Sequence, residues 1–180
     1  MTDKHSPYEL LLHIDAMCRA QSVGLPAQQE TVQTWSGIGF RIGQHHFVVP
    51  MGEVAEVLHE PRYTLLPGVK HWVSGVANVR GRLLPVIDLC GFFGTELTSV
   101  KKSRRILVVE YAEVFAGLTV DAVFGMQHFA VDDYTQELPA EVAGEFVPFL
   151  QGGFAGEQHH WLLFSPHALA RDAKFLNVVA

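Results

Sequence analysis

Apolar positions near the start of the chain repeat at helical spacing. Leu10, Leu11, Ile14, Met17 and Cys18 fall on one face, and Ser6-Pro7-Tyr8-Glu9 ahead of them combines capping-box spacing with proline at the first helical position. The pattern predicts a helix that Gly24 stops. Leu25-Pro26-Ala27-Gln28-Gln29-Glu30-Thr31 has no sustained apolar period and reads as a linker. A boundary near residue 35 follows, with an extension over 1–35 and a domain over 36–180.

From Trp35 the period changes to two. Ile38, Phe40 and Ile42 alternate with Gly39, Arg41 and Gly43, and Gly43-Gln44-His45 turns the chain into Phe47-Val48-Val49-Pro50, a hairpin. Short strand-like segments recur at 54–58, 75–79, 83–87, 104–111, 115–124, 128–131 and 161–164, with Gly, Pro, Asp or Asn near most joins. Many short strands joined by tight turns predict an all-β barrel or sandwich. Ile106 and Val108 with Leu107 and Val109 make both faces of one strand apolar, so that strand is expected at the centre. Ala116, Leu118 and Val120 alternate with Gly117, Thr119 and Asp121, which predicts a strand covered on one side only. Ser165-Pro166 reads as an N-cap followed by proline, opening a short closing helix with Leu169, Ala173 and Leu176 on one face.

Composition narrows the class. With 48% apolar and 18% charged residues the chain is globular rather than disordered. A chain of 180 residues buries roughly 70% of its unfolded surface, enough for a core without covalent staples. The net charge of −6 argues against sequence-independent nucleic-acid binding. Two cysteines, Cys18 and Cys90, and the lack of a secretory leader pattern predict a reduced, cytoplasmic protein. No apolar run approaches the roughly 20 residues that span a bilayer, so membrane association is expected through a partner rather than by insertion.

Ten histidines invite a metal or catalytic reading. His45-His46 and His159-His160 are adjacent pairs, and neighbours on a strand point to opposite faces, which is poor geometry for joint ligation. They read as surface turn residues. Cys90 with His71 as base is a conceivable nucleophile, but Asp88-Leu89-Cys90-Gly91 offers nothing to lower a thiol pKa, and Cys90 reads as a small buried side chain. Asp88 reads as the N-cap of a helical turn through Phe93. There is no G-x-G-x-x-G and no G-x-x-x-x-G-K-S/T, so nucleotide binding lacks support. Lys101-Lys102-Ser103-Arg104-Arg105 is the one basic cluster; it protects the apolar strand that follows or docks an acidic partner. No catalytic, cofactor or metal residue is assigned.

The most informative segment runs from Trp72 to Leu89. It reads as two strands around a tight turn in which Gly81 takes positive φ and Arg80 stands at the turn. Its Gly75-Val76-Ala77-Asn78-Val79-Arg80-Gly81 and Pro85-Val86-Ile87-Asp88-Leu89 resemble the G-V-x-N-x-R-G and P-x-x-D-L hallmark of CheW-like domains. The likeness extends to Val54-Ala55-Glu56-Val57 and to Ala116-Gly117-Leu118-Thr119-Val120-Asp121, and it covers 36–180.

The resemblance implies two five-stranded, SH3-like barrels packed on a shared apolar seam, here with an N-terminal helical extension and a short C-terminal helix. It implies no catalysis: such domains bridge the cytoplasmic tip of a chemoreceptor to the regulatory domain of a CheA-type histidine kinase at membrane-bound receptor arrays. It also implies that Glu56 and Arg80 lie together near the receptor-binding groove, and that Val54, Gly75, Asn78, Gly81 and Gly117 belong to the receptor and kinase interface. The extension and the Gly125-Met126-Gln127-His128-Phe129 segment resemble the branch of the family in type IV pilus chemosensory systems, so the implied output is twitching motility. The alternatives are a flagellar chemotaxis adaptor and a small Cys- or His-dependent enzyme. A receiver-fused adaptor is disfavoured, because no receiver domain fits in 35 extra residues.

Overall fold

A computed structural model of the chain describes residues 6–21, 33–156 and 159–180, in two units, Met1–Val32 and Gln33–Ala180. In the first unit, helix α1 spans Pro7–Gln21. The Ser6 backbone N–H donates to Glu9 Oε2 at 3.0 Å, one half of the capping box read from the sequence. Gly24 and the linker at 25–31 lie outside the described residues.

The second unit holds eleven strands among its described residues: β1 (Thr34–Ile42), β2 (His45–Pro50), β3 (Glu56–His59), β4 (Val73–Val79), β5 (Arg82–Asp88), β6 (Arg105–Tyr111), β7 (Val114–Val120), β8 (Ala122–Ala130), β9 (Tyr134–Thr135), β10 (Leu150–Ala155) and β11 (His160–Phe164). Three short α-helices accompany them: α2 (Leu89–Phe92), α3 (Pro166–Arg171) and α4 (Ala173–Leu176). The strand orders are β8-β1-β2-β11-β10-β9 and β3-β6-β7-β5-β4. In the first sheet, β8 and β9 are one stretch of chain bent at Val131–Asp133, so the same segment supplies both edges. In the second, Thr64 lies just beyond β3 and exchanges two backbone hydrogen bonds of 2.9 Å with Val76 of β4. Each sheet therefore curls into a five-stranded barrel, which removes open edges.

The barrels are nested in sequence. β1 and β2 start the first, β3 to β7 make the second, and β8 to β11 return to complete the first. β6 packs both its faces, as its sequence implied. Ile106 and Val108 point into the second barrel with Ala77, Leu84 and Val86. Leu107 and Val109 join the larger cluster with Phe40, Phe47, Ile87 and Leu118, the seam shared by both barrels.

Three expectations need correction. β7 is covered on both sides rather than one: Thr119 is buried along with Leu118 and Val120, because its second face lines the barrel interior instead of meeting water, and Asp121, just past the strand, is buried against the β1–β2 turn. The stretch 115–124 is two strands, since the chain changes barrel at Asp121. The closing helix is broken at Asp172, whose carboxylate caps α4 by accepting the Phe175 N–H at 2.8 Å. Phe175 is buried in place of Ala173 and Leu176. The caps at Asp88 and Ser165 form as read, accepting from Gly91 N–H at 3.0 Å and Ala168 N–H at 3.2 Å.

Candidate functional site

The β4–β5 hairpin closes with a two-residue turn: Val79 pairs with Arg82, and Arg80 and Gly81 both take positive φ, at 52° and 83°. A turn with two such residues matches the right-handed twist of the flanking strands. Gly81 adopts it freely, whereas a side chain at Arg80 costs about 1–2 kcal/mol there. Asn78 Oδ1 accepts the Gly81 N–H at 2.9 Å and pins the turn. Arg80 Nη2 donates to Glu56 Oε1 at 2.5 Å across the barrel end. The guanidinium side chain is 77% exposed and that of Glu56 29%, so the pair is presented to solvent with the carboxylate as its seated member.

A second charged pair lies at the same end. Arg82 at the start of β5 makes two hydrogen bonds to Glu110 near the end of β6, at 2.8 and 3.1 Å. Its guanidinium carbon sits 3.8 Å from the ring centroid of Phe115 on β7. Hydrogen bonding by Arg82 holds the Glu110 carboxyl below its ordinary value. Sequence reasoning did not find this trio. β7 separates β5 from β6, and nothing along the chain signals which strands become neighbours.

The remaining residues of the expected interface shape the scaffold. Val54 is half-buried against the seam. Gly75 takes φ 144°, and a Cβ there would lie 2.2 Å from the Thr64 carbonyl oxygen at the barrel closure. A Cβ at Gly117 would lie 2.7 Å from Ile106 Cγ2 and 2.9 Å from Leu84 Cδ2, so its missing side chain is filled by core. The structure thus brings Glu56 and Arg80 together, uses Asn78 and Gly81 to aim Arg80, and gives Val54, Gly75 and Gly117 packing roles.

Cys90 is fully buried. Burial pushes its thiol up to about 12, with the negative charges of Asp121 and Asp88 adding to the effect. A thiolate nucleophile at neutral pH is therefore strongly disfavoured. His71 Nε2 lies 3.3 Å from the Gly91 carbonyl oxygen.

The histidine pairs differ from the surface reading at His45 and His46, which are both half-buried. His45 and His46 do diverge, His45 toward Phe146 and His46 toward Phe124 and Trp161. His46 also stacks on His159 with centroids 4.1 Å apart and planes 7° apart. Among the described residues no three His, Cys, Asp or Glu side chains are grouped to hold a metal ion. Burial lowers the His46 pKa, and the charges of His159, Arg41 and His45 lower it further. The unfolded chain then takes up the His46 proton first as pH falls. Stability from this group is complete above the unfolded value near 6.5 and is lost as pH drops from there through the lower folded value. In His46→Phe, urea midpoints measured from pH 7.5 to 5.5 are expected to fall less steeply than in the wild type. Parallel curves would show that His46 titrates normally.

The sequence profile of the CheW-like domain matches residues 36–174. The chain belongs to the CheW-like family. It is 64% identical to the protein PilI of Pseudomonas aeruginosa over 178 residues, 99% of either chain, so that likeness also takes in the N-terminal extension. It is 32% identical over 106 residues to the protein FrzA of Myxococcus xanthus, 59% of this chain and 64% of that one. The crystal structure of the scaffolding protein TtCheW from Thermoanaerobacter tengcongensis superposes with a TM-score of 0.67 at 25% identity, covering 79% of this chain and 96% of that one. The two-barrel architecture is the one this CheW-like structure shares. Among the described residues no helix is long and apolar enough to cross a membrane.

Proposed function

We propose that this chain is a non-catalytic adaptor that couples the cytoplasmic tip of a methyl-accepting chemoreceptor to a CheA-type histidine kinase and acts in the control of type IV pilus twitching motility. Residues 36–180 form the adaptor domain and 1–35 an extension particular to the pilus branch. The observation that carries the reading is the 64% identity to PilI over nearly the whole chain, extension included. The cytoplasmic location, at membrane-bound receptor arrays, belongs to the same reading.

Within the adaptor, Arg80 is the contact residue and Glu56 its orienting carboxylate. The support is geometric. A guanidinium held in a left-handed turn, at a cost in backbone strain, and left mostly exposed is poorly explained by stability alone. An exposed ion pair contributes about 0–1 kcal/mol to folding, whereas an arginine at the centre of an interface costs about 2 kcal/mol or more when truncated.

Arg80→Ala is expected to leave the melting temperature nearly unchanged and to weaken binding to purified receptor fragment or kinase by at least about tenfold, or about 1.4 kcal/mol. Arg80→Gly, which relieves the turn, should bind as poorly while folding at least as stably. Glu56→Ala should weaken binding in the same sense, and the double variant should lose less than the sum. Normal assembly by all of these variants, or unfolding of Arg80→Ala, would remove the binding role.

A further inference from the structure

The opposite end of the second barrel carries a different kind of surface. β3 ends at His59, paired with Arg105 at the start of β6, so the residues just after the one and just before the other meet there. Glu60, Pro61, Arg62, Tyr63, Leu65 and Lys101 line a pocket of about 680 Å³. We propose that this pocket and the basic loop beside it dock an acidic segment of a protein partner, with Asp or Glu side chains flanking an apolar anchor.

Charge carries the first step. The whole chain has a net charge of −6, yet Lys101, Lys102, Arg104 and Arg105 fall within five consecutive positions beside the pocket. Two of these cations brace the loop. Arg104 donates twice to the Ser99 carbonyl at 3.1 Å, and Arg105 Nη1 donates to the carbonyls of Lys102, Ser103 and Arg104 at 3.1, 3.1 and 2.8 Å. The loop's own acceptors are thereby covered and its shape is set before any partner arrives, which lowers the ordering cost of binding.

That leaves Lys101 and Lys102 exposed, and of the two it is Lys101 that lines the pocket. Its Nζ lies 3.6 Å from Glu60 Oε1, too far for a hydrogen bond, and 5.5 Å from the Tyr63 ring centroid, while the side chain stays 71% exposed. Glu60, with its side chain only 5% exposed and its second oxygen unpartnered, is a buried charge that holds Lys101 at the pocket without engaging its three donors.

Apolar groups supply the anchor site. Pro61, Tyr63 and Leu65 line the pocket, and Leu65 and Val100 are both strongly exposed on the two adjoining loops. Exposed apolar groups beside exposed cations, with Lys101 held by Glu60 at 3.6 Å rather than by a hydrogen bond, fit a segment bearing both features. The concavity and the overall negative charge oppose a flat anionic membrane.

The test is a titration of the isotope-labelled full chain, read by amide and tyrosine-ring chemical shifts, with a capped hexapeptide of alternating glutamate and leucine. The expected result is shifts centred on Tyr63, Leu65 and Lys101, and binding about tenfold weaker for the glutamine counterpart of the peptide. Leu65→Ser should weaken binding with an unchanged melting temperature, and Lys101→Glu should weaken it more, with some loss of melting temperature because the Glu60 carboxylate loses its cation. Glu60→Gln should retain or tighten it, because a competing carboxylate is gone. Equal affinity for the glutamine peptide, undiminished binding by Lys101→Glu, no shifts at millimolar peptide, or the same shifts produced only by phosphatidylglycerol vesicles would each overturn the proposal.

Discussion

Asp121→Ala is expected to destabilise the protein by about 2–5 kcal/mol, from the two backbone N–H groups and the hydroxyl that it leaves without an acceptor. Asp121 is fully buried between β7 and β8, where the chain leaves one barrel for the other. Its Oδ2 accepts the Gly43 N–H of the β1–β2 turn at 2.8 Å. Its Oδ1 accepts the Ser99 N–H at 2.8 Å and the Thr98 hydroxyl at 3.3 Å. The Asp121 N–H in turn donates to the Arg41 carbonyl at 3.1 Å. One carboxylate therefore ties the first barrel's hairpin to the loop that enters β6, and its removal leaves the part-buried Gly43 and Ser99 N–H groups without their acceptor.

Burial alone would raise the Asp121 pKa, but hydrogen bonds from Gly43 and Ser99 and the charge of Arg41 outweigh it and hold the carboxyl below its ordinary value. The folded state thus takes up the proton later than the unfolded state as pH falls. The stability from Asp121 is complete above the unfolded value near 3.9 and is lost as pH drops through the folded one. Asp121→Asn, which keeps an acceptor but not the charge, should lie between alanine and wild type at pH 7 and approach wild type at low pH. Guanidinium midpoints would decide the matter, and a loss under about 1 kcal/mol in Asp121→Ala would show that the network relaxes around the gap.

Asp121 also marks where reading along the chain stops working. A strand with Gly117, Thr119 and Asp121 on one face looks half-exposed, and period two cannot distinguish a face toward water from the inside of a narrow barrel. β10 was missed for a related reason: Gln151-Gly152-Gly153 offers no alternation to detect. Local chemistry was legible instead, because caps and turns depend only on near neighbours. The Asp88 and Ser165 caps and the positive φ of Gly81 all form as read. In the candidate site, Arg80 and Glu56 are 24 positions apart and come together only because the β4–β5 hairpin and β3 share one end of the barrel. The family pattern pointed to them. Arg82, Glu110 and Phe115, drawn from three strands, carried no such flag.

Gly75→Ala is expected to cost about 2–6 kcal/mol, combining backbone strain of about 1–3 kcal/mol with overpacking of similar size. At φ 144° an L side chain is strained in any surroundings, and here the new Cβ would lie 2.2 Å from the Thr64 carbonyl oxygen and 2.9 Å from its carbon. The obstacle is backbone, so no rotamer change relieves it. That carbonyl is also half of the two-bond bridge to Val76 that closes the second barrel. Relief must therefore come from opening the closure beside the hairpin that carries Arg80. Gly81→Ala is the matched control: its φ is 83°, nothing lies within 4 Å of the added Cβ, and only the left-handed penalty of about 1–2 kcal/mol applies. At about 2–4 °C per kcal/mol for a chain of this size, the melting temperature should fall by at least about 4 °C in Gly75→Ala and by less in the control. Receptor or kinase binding by Gly75→Ala should decline only in step with the folded fraction, whereas Arg80→Ala should lose binding while fully folded. If Gly75→Ala melts within about 2 °C of wild type, the Thr64–Val76 closure tolerates a side chain and the glycine is not needed for the fold. If it melts normally and still fails to bind, Gly75 is part of the contact surface itself.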